Sequence, residues 1–325
     1  MLSHMRLQCL VVTVILTSNA FAASTDCDRS CLQSTLDQYL NAVIKHDPSA
    51  APLSIGFRQT EDAVVVRTGM GGVWKSVTGL GKAQRRYLDA VTGQAGYFGT
   101  VQEGAEEAIV TVRVKVENRK ITEAEWLIAR KGDPGLNGPR QPDQPAGNFF
   151  NPEYLAANLP RQKLDAKQAR SSREGMIAAT NSYFDGITTH DGSIIMAHPG
   201  CVRIENGGAP GGGRGGAAKE GAKGPAPDCT SNLQNINVQL VAARRYPVVD
   251  EEAGVVLAIA VFIRKPGTAT RRNMFSEWFT IDDNKIRSVY SAMFYPTPEV
   301  PVPNWPPYEG NWPLPATFSA PAAPR

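Results

Sequence analysis

Two His-Asp pairs, His46-Asp47 and His190-Asp191, are the first residues in this chain to suggest chemistry, as imidazole–carboxylate dyads. Adjacent residues on a helix project about 100° apart, so neither pair is set up to hydrogen-bond internally. Pro48 follows Asp47, and Gly192-Ser193 follow Asp191. That is turn and N-cap chemistry, with the carboxylate accepting backbone N–H groups of the next helix. The aspartates are read as caps, and His190 as a residue at a pocket mouth.

Arg203 and Glu205 stand two apart in a strand-like run, so they share one face. The alternation places Val202 and Ile204 in a core and the charged pair on the other face, where they form a grip on substrate or an ordinary exposed pair. Arg58 and Thr60 repeat the pattern earlier in the chain. Glu277-Trp278 sits in another strand, where the tryptophan either walls an aromatic ligand or packs a core. Arg245, Asp250 and Glu251 flank an apolar run and read as a charged hairpin turn. The glycine-rich stretches at 69–72 and 207–216 lack the Lys-Ser/Thr pair of a nucleotide loop. There is no Gly-x-Ser-x-Gly elbow. No cofactor is expected.

The chain has 325 residues and a formal charge of +3, with no dense block of lysine or arginine. A phosphate-tracking surface needs clustered positive charge, so a nucleic-acid partner is not expected. Residues 1–22 read as a signal peptide: Arg6, a short apolar run at 9–17, and a small-x-small site at Ala20-Phe21-Ala22. That run is too short to anchor in a bilayer, so the protein is expected to be exported, periplasmic or secreted, with no membrane partner. Cys9 lies inside the apolar run, which argues against a lipid-attachment site. Beyond it stand Cys27, Cys31, Cys201 and Cys229, an even number suited to disulfides. Local pairing, Cys27–Cys31 and Cys201–Cys229, is preferred among three connectivities. A metal site is the weak alternative, since no Cys-x-x-Cys or histidine ligand spacing occurs.

The elements that would position these residues occur twice. Residues 39–47 (YLNAVIKHD) match 183–191 (YFDGITTHD), each the end of an amphipathic helix. Residues 116–121 (VENRKI) match 281–286 (IDDNKI), each a strand, a polar turn and a strand. His46 to Ile121 spans 75 positions and His190 to Ile286 spans 96; the difference of 21 equals the length of the Gly/Ala/Pro-rich stretch 207–227. The organisation read from this is a first module at 27–131, a Pro/Gly-rich linker at 132–168, a second module at 169–296 with the insert 207–227, and a Pro-rich tail at 297–325. Each module reads as helix, short helix, strand, helix and then long strands, at 108–116 and 121–129 in the first. In the second they fall at 234–244, 254–264, 275–281 and 285–294. Strands following helices in blocks give class α+β, with curved antiparallel sheets wrapped on helices.

The helix ending in His-Asp, the strand 202–207 (VRIENG) and the Asn-Lys-Ile hairpin resemble the SnoaL-like, nuclear-transport-factor-two-like proteins of ketosteroid isomerase type. The opening 27–32 (CDRSCL), the run 245–254 (RYPVVDEEAG) and the Arg-Ile-Glu-Asn-Gly stretch resemble a secreted bacterial and fungal subgroup carrying a domain of unknown function. The resemblance implies a cone-shaped module, used twice and paired as an internal pseudo-dimer within a monomer. It also implies that a first-helix tyrosine, Tyr183 or Tyr39, donates to an oxyanion. A first-strand carboxylate, Glu205 or Glu61, then moves the proton. A buried phenol stabilises developing negative charge, and a desolvated carboxyl can work as an acid or base near neutrality. The expected function is a cofactor-free lyase, isomerase or hydratase acting on a small lipophilic molecule, aromatic ones included. Tyr183, Glu205 and Arg203 would be catalytic, and His190, Trp278, Glu277, Tyr39, Arg58 and Glu61 would bind ligand. The alternative is an exported protein that binds such a molecule without changing it.

Overall fold

The computed structural model describes residues 26–136, 150–208 and 228–297. The expected signal peptide, nearly all of the glycine-rich insert and nearly all of the tail lie outside these. Helix α1 (Arg29–Ile44) is capped by Asp28, whose side chain accepts the Cys31 N–H. Its buried residues, Leu32, Leu36, Tyr39, Leu40 and Val43, recur at helical spacing and form one apolar stripe. A single 3-10 turn follows, capped by Asp47 through the Ser49 N–H. Next come β1 (Leu53–Glu61), β2 (Val64–Val66) and α2 (Val73–Ser76). The strands β3 (Gly79–Asp89), β4 (Gln94–Glu103), β5 (Glu106–Glu117) and β6 (Lys120–Ala129) follow. They form one sheet in the order β2-β1-β6-β5-β4-β3, with β1 parallel to β6 and the rest antiparallel.

After α3 (Pro152–Ala157) the plan repeats. Helix α4 (Arg173–Thr189) starts at Ser172 and ends on His190 in the left-handed conformation. Asp191 caps another 3-10 turn through the Ser193 N–H. The strands β7 (Ala197–Glu205), β8 (Val238–Asp250), β9 (Val255–Arg264), β10 (Asn273–Asp282) and β11 (Lys285–Phe294) form a second sheet, ordered β7-β11-β10-β9-β8, with β7 parallel to β11. The turns Asn118-Arg119 and Asp283-Asn284 both hold two successive residues at φ of 50–56°, the geometry of a tight two-residue hairpin. The class is α+β, with two mixed sheets and few helices.

Three apolar clusters hold the layers together. One packs α1 on the first sheet, and one packs α4 on the second. The third lies between the sheets and joins Tyr87, Phe98 and Leu127 to Leu257, Trp278 and Tyr290. Trp278 donates from Nε1 to Thr111 Oγ1 at 2.9 Å. A Cβ on Gly96 would collide with its ring, so glycine is required there for the sheets to approach. Polar ties run the same way. Arg245 from β8 and Arg113 from β5 both donate to buried Glu125 of β6, at 2.6 and 3.0 Å. Burial opposes ionisation of Glu125, but the two guanidiniums outweigh it and hold the carboxyl below its ordinary value. Arg245 and Asp250 are thus buried ties rather than parts of an exposed charged turn.

Both expected disulfides are present, Cys27–Cys31 and Cys201–Cys229. They fit an exported protein. Among the described residues no helix is long and apolar enough to cross a membrane, and no cluster of side chains suits a metal ion. The described end of the linker, from 150, carries α3, and Arg161 donates to the Ala253, Gly254 and Ile281 carbonyls and to Asp282.

Candidate functional site in the second module

A pocket of about 60 Å³ opens between α4, β7, β9 and β10. Its polar wall is built from alternation. In β7, Val202 and Ile204 pack into the inter-sheet cluster, so Arg203 and Glu205 face α4. In β10, Met274 and Trp278 take the inter-sheet side, so Phe275, Glu277 and Phe279 face α4. Tyr183 comes from the buried stripe of α4, wedged against Phe184 and Phe279. The four groups Tyr183, Arg203, Glu205 and Glu277 therefore line one pocket. Ile187, Ile236 and Phe262 supply its apolar side.

The contacts within this set are loose. Arg203 Nη1 donates to the Tyr183 hydroxyl at 3.5 Å, and its Nε lies 3.3 Å from Glu205 Oε1. Both are long for charge-assisted bonds. The Tyr183 proton is donated to no described residue, so the hydroxyl keeps a donor for a bound molecule. Burial pushes the phenol up, and the Arg203 charge offsets part of that rise. Glu277 is 2% exposed, and its Oε2 has no hydrogen-bond partner among the described residues. Burial, reinforced by the Glu205 charge and opposed by Arg203, lifts it well above the ordinary carboxyl value, which favours the protonated form. Glu205 sits at the rim, its side chain 29% exposed. A buried carboxyl that holds its proton more tightly and a second carboxyl at the solvent-touched rim thus share one pocket, a division that suits donation by the first and proton abstraction by the second.

The first module has the same frame with different contents. An offset of 144 positions relates Tyr39, Gln59 and Glu61 to Tyr183, Arg203 and Glu205. The register Glu61↔Trp126 answers Glu205↔Ser291, and Val112↔Trp126 answers Glu277↔Ser291. Tyr39 donates to Gln59 Oε1 at 2.8 Å and accepts from Trp126 Nε1 at 2.9 Å, while Trp74 Nε1 also donates to Gln59. Glu61 accepts from Gln59 and from the Val73 N–H, which ties down the start of α2. Tyr39 and Glu61 are engaged in structural bonds. Trp126 and Val112 occupy the places of Ser291 and Glu277.

Several sequence-predicted residues lie elsewhere. Trp278 points between the sheets, on the face of β10 opposite the pocket. Arg58 is the counterpart of Val202; the residue matching Arg203 is Gln59. A slip of one position in a strand exchanges its two faces. His190 caps α4, and its Nδ1 lies 3.1 Å from the Leu233 carbonyl oxygen, just as His46 Nδ1 lies 2.9 Å from that of Trp74. Each imidazole fastens a loop. His190 thereby braces the segment from which Asn232 and Ile236 reach the pocket. Arg264 and Asn273 also line it and were not foreseen; both sit at strand ends, where neither periodicity nor motif marks them.

Residues 169–293 match the model of a family described as a domain of unknown function, DUF8021. The matched segment runs from before α4 almost to the end of β11 and carries all four groups of the pocket wall. No curated protein matches the chain.

Proposed function

We propose that the second module is a cofactor-free acid–base enzyme, a lyase, isomerase or hydratase acting on a small molecule held in this pocket. The observation that carries the reading is the convergence of Tyr183, Arg203, Glu205 and Glu277. Glu205 takes a proton from carbon. Tyr183 and Arg203 face the oxygen on which negative charge develops, where buried donors act most strongly. Glu277, buried and holding its proton more tightly than an ordinary carboxyl, returns a proton to substrate oxygen or carbon. The nuclear-transport-factor-two-like cup accounts for this placement of a helix tyrosine against a strand carboxylate.

In the same reading the two modules pair as an internal pseudo-dimer. Support comes from reciprocity across the chain. Arg29 of α1 holds Asp250 of β8, and Arg173 of α4, its counterpart at the 144-position offset, holds Asp89 of β3. The Leu88 N–H donates to Asp250, and the Val249 N–H to Asp89. Thr111 and Ser276, which are equivalent, hydrogen-bond each other at 2.7 Å. Light scattering should therefore find a monomer; a tight dimer would count against an internal pair.

The enzymatic reading is tested by proton NMR in D2O. The protein is incubated with a panel of small carbonyl and hydroxy compounds, and C–H signals are followed for exchange or turnover. Glu205→Gln is expected to cut the rate by about 10²–10⁴-fold. A rate unchanged in Glu205→Gln and Tyr183→Phe rules out these roles. A second reading, binding without conversion, is favoured by the engagement of Glu205 with Arg203. Its signature is a ligand that raises the melting temperature while its C–H signals stay intact.

A further inference from the structure

Ser291 of β11 stands between the two carboxyls of the pocket. It pairs in register with Glu205 of β7 on one side and with Glu277 of β10 on the other. Val289 and Met293 pack into the α4 cluster, whereas Tyr290 and Ala292 pack between the sheets, so Ser291 faces α4 together with both glutamates. The residue is buried, and its hydroxyl has no hydrogen-bond partner among the described residues. Glu277 Oε2, directly across the rung, is in the same condition. A buried hydroxyl without a partner costs stability, so its presence calls for a use other than packing. The first module supplies the comparison. It has Trp126 in the place of Ser291 and Val112 in that of Glu277, and its Glu61 is held by Gln59 and the Val73 N–H. The hydroxyl occurs in the module where two carboxyls flank it.

The acid–base cycle leaves its two carboxyls in the wrong states. Once Glu205 has taken a proton from carbon and Glu277 has given one up, each must recover its starting form. Glu205 meets solvent at the rim, whereas Glu277 is buried. We infer that Ser291 is a positioning residue that passes protons between Glu205 and Glu277. The Glu205 O–H bond breaks as its proton bonds to Ser291 Oγ, and the serine's own proton leaves Oγ for Glu277 Oε2. One proton has then moved, and no charge stays on the serine. Rotation about its Cα–Cβ bond restores the starting hydroxyl. Paired residues on adjacent strands hold their Cβ atoms about 4.5–5.5 Å apart, a gap that a glutamate side chain spans to a serine in one of its three rotamers. Arg203, beside Glu205, stays charged throughout and carries no proton. The use of this path in turnover rests on the acid–base reading; the path itself does not.

The test needs no substrate. The protein is mixed rapidly into D2O at about pH 5, above the ordinary glutamate value and below the raised one of Glu277. Infrared spectroscopy follows the C=O band of the protonated Glu277 carboxyl, assigned by its loss in Glu277→Gln, as the proton is replaced by deuterium. Ser291→Ala should slow that exchange by about tenfold or more, and Ser291→Thr, which keeps the hydroxyl, should restore it. Glu205→Gln should slow it as Ser291→Ala does, and Tyr183→Phe should leave it unchanged. Circular dichroism checks each variant; should Ser291→Ala fail to fold, the comparison of Glu205→Gln with Tyr183→Phe decides. Exchange at the wild-type rate in Ser291→Ala or in Glu205→Gln, slowing by Tyr183→Phe instead, or the lack of a protonated Glu277 band would overturn the assignment. Failure of the acid–base reading looks different: the exchange follows this pattern, yet no compound exchanges its C–H protons.

Discussion

Arg29 and Asp250 lie 221 positions apart, yet the guanidinium holds both oxygens of that carboxylate, at 2.8 and 3.0 Å. Asp250 is fully buried and also accepts the Leu88 and Ala253 N–H groups. Replacing it with alanine strands four donors. Arg29 keeps a third of its side chain in solvent, which places the loss at the low end for a broken buried pair, roughly 3 kcal/mol. Asp89→Ala removes the mirrored set, Arg173 with the Val249, Val91 and Thr92 N–H groups, and should cost a similar amount. Urea denaturation followed by tryptophan fluorescence measures both. A large loss in one and none in the other would contradict the equivalence.

Tyr39 and Tyr183 occupy equivalent places with opposite obligations. Tyr39→Phe deprives Trp126 of its acceptor and Gln59 of a donor, and should cost about 1–3 kcal/mol. Tyr183→Phe gives up one long contact from Arg203 and should cost less than about 1 kcal/mol. Thermal melts of the pair check the ranking, and the reverse order would show that Tyr183 is the structural hydroxyl.

Glu277 makes stability depend on pH in a definite direction. In the unfolded chain this carboxyl ionises near 4.5, whereas in the fold it stays protonated well above that. The unfolded state therefore gains as pH rises past 4.5, and the native protein loses relative stability until the folded carboxyl itself ionises. Glu277→Gln abolishes the effect. The stabilities of variant and wild type should run parallel near pH 4 and then separate, the glutamine form gaining about 1.4 kcal/mol per pH unit over the window. Parallel curves from pH 4 to pH 8 would sink this account.

The Cys201–Cys229 bridge ties the middle of β7, across a sequence separation of 28, to the segment bearing Asn232. Chain-entropy reasoning gives a loss of roughly 3–4 kcal/mol when both cysteines become serine. Cys27–Cys31, with a separation of 4, should matter less. Guanidinium midpoints of the two double-serine variants, one per bridge, discriminate the two.

Much of the frame was legible because repeated local chemistry leaves repeated strings. His-Asp before Pro or Gly-Ser marks a left-handed helix end and a capped turn at both His46 and His190. The spacing from Tyr183 to Glu205 marked the pocket pair. Strands β3 and β4 were missed. Gly79, Gly81, Gly96 and Gly99 interrupt them, and glycine in a strand reads as a break. The face of Trp278 was also unreadable. All ten residues of β10 are buried, because α4 covers one side and the first sheet the other. Alternation reports a face only when one side meets water. Glu277 shares that strand, so the upward push on its carboxyl depends on neighbours distant in sequence.

Housing both modules in a single polypeptide has a consequence for how such a site can change. In an assembly of two identical subunits, every substitution appears twice, so an ionisable group introduced for chemistry must be tolerated in both hollows. Here Val112 and Trp126 keep one hollow filled with hydrocarbon and indole while Glu277 and Ser291 open the other. The filled half can carry the load of folding, which frees its twin to hold awkward, poorly satisfied side chains.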